Sequence, residues 1–101
     1  MMLLIYLNNF VTIGEEFMTR RVVQRTQTGV RIETSLLKVL KGLAEYTDLS
    51  LGDLLEGIVL HSFEGKAPFS EDTRRAIENL KQVYGCRLTS ADSHRLREAG
   101  E

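Results

Sequence analysis

Arg25, Gln27, Gly29 and Arg31 recur at two-residue spacing, and theirs is the chemistry that matters most in this chain. Such spacing puts side chains on one face of an extended segment, because successive side chains alternate across it. Arginine offers paired donors that match guanine, and glutamine pairs bidentately with adenine. The opposite face carries Thr26, Thr28, Val30 and Ile32, the last two being its apolar pair. A second group stands at Ser50-Leu51-Gly52, where a capping hydroxyl and the free N–H groups of a helix start can hold a phosphate. Simpler accounts stand beside both groups. An exposed, soluble strand explains the first on alternation alone, and an ordinary N-cap explains Ser50 without a ligand.

Other chemistry finds little support. His61 and His94 are far apart in the chain, and Cys86 is the single cysteine, so no spacing supplies three or four metal ligands. His61 falls near the end of a helical pattern, where partial positive charge is favourable. Neither a glycine-rich phosphate loop nor a nucleophile motif is present. The expectation is a binding protein with no catalytic residues, no cofactor and no metal.

At 101 residues the chain is one small domain, or a smaller one with appended helices. The apolar share of 43% is that of a globular protein. A net charge of −1 gives no bulk argument for nucleic acid, but the distribution does. Residues 18–45 carry six basic residues against Glu33 and Glu45, a net of +4. Residues 46–65 carry Asp48, Asp53, Glu56 and Glu64 with no lysine or arginine, a net of −4. A basic region set against an acidic one is what a single phosphate-facing surface requires, although solvated helices also scatter charge.

The elements that must position these residues follow from periodicity. Residues 25–32 alternate as a strand, and Glu33-Thr34-Ser35 supplies helix-start chemistry. A first helix over about 34–46 repeats Leu36, Leu40, Leu43 and Ala44, with Leu37 widening the stripe. Ser50 caps a second helix over about 51–64, with Leu51, Leu54, Leu55, Ile58, Val59 and Ser62 on one face and Phe63 beside it. Gly57 inside that helix suggests a close helix approach. After Lys66-Ala67-Pro68, Ser70 caps a third helix over about 71–84 bearing Ile77, Leu80 and Tyr84, and Ser90 opens a short fourth through Ala99. A lone strand leaves backbone groups unpaired, so its expected partner is the same strand of a second copy.

From Gly29 to Phe63 the sequence resembles, without a gap, the ribbon-helix-helix class of the Arc, CopG and methionine repressors. The fold this implies is mainly α with one N-terminal β-strand, an intertwined dimer with an antiparallel two-stranded ribbon, plus C-terminal helices. The function it implies is sequence-specific repression of transcription by a homodimer reading the major groove of double-stranded DNA. The resemblance places Gln27, Gly29 and Arg31 at base-reading positions and Ser50 at the backbone clamp. Gly29 departs from the pattern, since that position usually carries a polar side chain. Either the backbone approaches DNA closely there, or fewer bases are read directly. Where some members bury an ion triad across the dimer, this chain has Leu49, Leu54 and Ile58, which implies a tight apolar interface. The nickel-responsive members carry a larger sensing domain, whose length and ligands the residues after Gly65 lack.

The expected organisation is a leader or non-native extension over 1–17, a DNA-binding domain over 18–65 and a helical extension over 66–101, through which a protein partner can bind. Residues 1–13 are apolar but lack a basic flank and a cleavage site, so they do not read as a signal peptide. Gly14-Glu15-Glu16 implies purine-rich codons of ribosome-binding type just before Met18, which makes Met18 the expected native start. No stretch approaches the roughly 20 apolar residues of a membrane span, and one cysteine fits a reducing cytoplasm. Two alternatives accompany this reading. One is an antitoxin that represses its own operon and binds a toxin through its C-terminal segment, against which 71–84 reads as a self-folding helix. The other is a helical protein-interaction module in which Leu3–Val11 pairs with residues 22–32 within one chain.

Overall fold

The structure is a computed structural model that describes residues 20–100. It contains three helices, α1 (Thr34–Thr47), α2 (Leu51–Phe63) and α3 (Glu71–Tyr84), followed by one 3-10 turn over Ser90–Asp92. Each helix starts on a side-chain acceptor. The Glu33 carboxylate accepts from the Leu36 N–H at 2.8 Å and from the Ser35 hydroxyl at 2.7 Å. Ser50 Oγ accepts from the Asp53 N–H at 3.1 Å, and Ser70 Oγ from the Thr73 N–H at 3.2 Å. The hydroxyl of Ser35, then the N–H of Leu36, hold the Glu33 carboxyl below its ordinary range.

The helices also end alike. A left-handed residue follows each, Asp48 (φ 63°), Gly65 (φ 70°) and Gly85 (φ 66°). The next N–H reaches back to close the last turn: Leu49 to the Ala44 carbonyl (2.9 Å), Lys66 to His61 (2.9 Å) and Cys86 to Lys81 (2.8 Å).

The buried centre is Leu43, Ala44 and Leu54, with Leu40 and Ile58 from the first two helices packed around it. Phe69 before α3, and Ile77 and Leu80 within it, close the same cluster. The α1–α3 packing is tightest at Gly42, where an added Cβ would lie 3.0 Å from Leu80 Cδ2 and 3.5 Å from Tyr84 Cε2. Gly57, the expected point of close approach, has no atom within 4 Å of such a Cβ. Gly42→Leu should therefore destabilise the unit by about 1–3 kcal/mol, since overpacking moves helices apart. A thermal melt of that variant checks it; an unchanged transition would mean the contact is slack.

Three expectations need correction. The strand over 25–32, and with it the ribbon-helix-helix fold, is absent: no β-strand occurs among the described residues. A strand exists through its ladder, and residues 20–33 form no ladder with another described segment. Val30, placed on the inner face by alternation, is 75% exposed. Of the Leu36/Leu40/Leu43 and Leu54/Ile58 faces, expected to merge with a second copy, all but Leu36 (37% exposed) are packed instead with Phe69, Ile77 and Leu80 of the same chain. That removes the core an intertwined dimer needs. The fourth helix is one 3-10 turn, capped by Thr89 rather than Ser90 and followed by His94 at φ 64°. The expectations on residues 1–17, including the pairing of Leu3–Val11, lie outside the described residues. Among the described residues no helix is long and apolar enough to cross a membrane.

Candidate nucleic-acid interface

The chain divides between Val30 and Arg31 into two units, and the candidate residues fall on both sides. Arg25, Gln27 and Gly29 belong to the first unit, whose described part is residues 20–30. Every one of these residues is exposed, and the segment forms neither helix nor strand. With Arg20 and Arg21 it holds three arginines and no carboxylate. Open space surrounds the position a Cβ would take at Gly29, so packing does not require a glycine there. This is an exposed basic segment whose residue types suit phosphate and base edges.

Arg31, Ser50, Leu51 and Gly52 belong to the second unit. The Arg31 guanidinium is gripped by Glu98: Nε donates to Oε1 at 2.9 Å and Nη2 donates to Oε2. The bond raises the Arg31 pKa and lowers that of Glu98. Both side chains remain at the surface, 82% and 47% exposed. Nothing in the sequence signals this pair, because 67 residues separate its members.

The start of α2 is an ordinary cap at Ser50, with Leu51 half-buried and Gly52 exposed. Asp48 precedes the cap by two residues and Asp53 sits in the first turn. Two carboxylates beside this helix end oppose an incoming anion and offset the favourable dipole. Farther along α2, Leu60 (62% exposed), Phe63 (82%) and Val59 (43%) leave an apolar outer face. Periodicity sets Val59 on one face with Leu54 and Ile58, yet it is exposed where they are not. Sequence periodicity misses this second face because α2 is apolar almost all round.

The remaining features are modest. A pocket of about 230 Å³ lies against Pro68, Phe69, Arg74 and Ile77, below the roughly 300–1,000 Å³ of ligand sites. His61 Nδ1 lies 2.8 Å from the Gly57 carbonyl in its own helix. Among the described residues no group of three or more His, Cys, Asp or Glu is placed to hold a metal ion. No protein-family model, curated protein or solved structure matches the chain.

Proposed function

We propose that this protein is a cytoplasmic, non-enzymatic repressor of transcription that binds double-stranded DNA as a homodimer. One observation carries the reading: an exposed segment with three arginines and no acid precedes a helical unit whose ten lysines and arginines are nearly balanced by twelve acids. Such a segment is suited to phosphate, while the near-neutral unit that follows adds little bulk attraction or repulsion. Arg25, Gln27 and Arg31 supply the bidentate donors for base edges, and Gly29 admits a close backbone approach. Ser50, Leu51 and Gly52 are the weaker part of the site, given Asp48 and Asp53 beside them.

Dimerisation fits the outer face of α2. A unit with so few buried residues is marginal alone, and Leu60 and Phe63 form an apolar surface that a second copy would cover. Sedimentation at micromolar concentration should show a dimer, and Phe63→Glu should return it to monomer. A wild-type chain that stays monomeric would remove dimerisation from the reading.

Arg31→Ala should weaken binding to the specific site on the order of ten- to a hundredfold and affect non-specific binding less. Equal losses on both would make Arg31 a phosphate contact. A second reading, a helical protein-interaction module, draws on the same exposed Leu60 and Phe63. Purification of a stable partner complex with no affinity for DNA would put it first. The antitoxin reading has less support, because α3 contributes Ile77 and Leu80 to the chain's own core.

A further inference from the structure

We infer that the C-terminal tail is an autoinhibitory strap, in which Glu98 occupies the Arg31 guanidinium and must leave before Arg31 can contact DNA. This rests on the DNA-binding reading above. Glu98 engages Nε and Nη2 together, through its two carboxylate oxygens. Paired donors of that kind are also what guanidinium groups use on phosphate oxygens or on guanine O6 and N7. The same donors cannot serve a carboxylate and a nucleotide at once, so the two compete.

The fold delivers the tail to this place. Beyond α3, Cys86 is buried, and Lys81 Nζ donates to the Leu88 carbonyl at 2.8 Å. Thr89 and Asp92 then form a reciprocal cap, with the Thr89 N–H 2.9 Å from Asp92 Oδ2, and the Arg95 N–H reaches the Asp92 carbonyl at 3.0 Å. Each bond shortens the free length between α3 and Glu98, so the carboxylate is held at high effective concentration near Arg31. Exposed ion pairs are weak, so the strap grades affinity and does not abolish it.

The test is a double-mutant cycle. Wild type, Glu98→Gln, Arg31→Ala and the double variant, all as full chains, are titrated into a fluorescent duplex from upstream of the protein's own gene. Glu98→Gln should tighten binding about two- to fivefold in the wild-type background, the range an exposed pair allows. It should change nothing once Arg31 is alanine. An equal gain in both backgrounds would assign the effect to general repulsion between Glu98 and DNA, and overturn the strap. No gain in the wild-type background would overturn it as well. If no variant binds the duplex at low salt, the DNA-binding reading itself fails and takes the strap with it.

Discussion

Truncation after Lys66 should abolish the cooperative thermal transition of the protein. The cut removes Phe69, Ile77 and Leu80, which close the cluster of Leu43, Ala44 and Leu54. Leu43 is only 2% exposed in the intact fold, and without α3 its surroundings open to water. Three large apolar side chains, each contributing about 1.5–3 kcal/mol when fully buried, represent a large part of the roughly 5–15 kcal/mol by which domains are stable. Here they are partly buried, so the direct loss lies toward the lower end. The exposed faces of α1 and α2 add to it. Circular dichroism against temperature checks the outcome, with a broad, non-cooperative melt expected. A truncated chain that melts as sharply as the full one would show that α1 and α2 hold together without α3.

The second large effect is on binding and should leave folding alone. Replacing Arg20, Arg21 and Arg25 together by alanine should weaken binding to every duplex tested, on the order of ten- to a hundredfold at moderate salt. It should also flatten the salt dependence by roughly three in log–log slope, because each phosphate contact contributes about 0.9. All three residues are exposed, so the thermal melt should not move. Loss of binding with an unchanged salt slope would mean that the basic segment does not meet phosphate.

The helices were legible in the sequence because their ends are written in local chemistry. Ser50 and Ser70 cap as their positions suggest, and Gly65 and Gly85 close two of the three C-termini. What covers each apolar stripe was less legible. Periodicity marks Leu40, Leu43, Leu54 and Ile58 as inward, but a stripe does not say which surface covers it. A second copy and α3 are equally good partners on that evidence, and α3 is the one in place. The strand failed for a related reason. Alternation from Arg25 to Ile32 is equally compatible with an exposed segment, since pairing and not pattern makes a strand. Gly42 had a visible signal, a glycine inside the first apolar repeat, which the glycine of α2 obscured. For the candidate site, residue types were readable and their partners were not. Glu98 entered through the fold alone.

Binding to DNA is the proposition on which the rest depends. Titration of the wild-type protein into two labelled duplexes, one from upstream of its own gene and one of shuffled sequence, over a series of salt concentrations, addresses it without any variant. The expected result is tighter binding to the upstream duplex and a linear fall of log affinity with log salt for both. Failure to bind either duplex at low salt would contradict the proposed function.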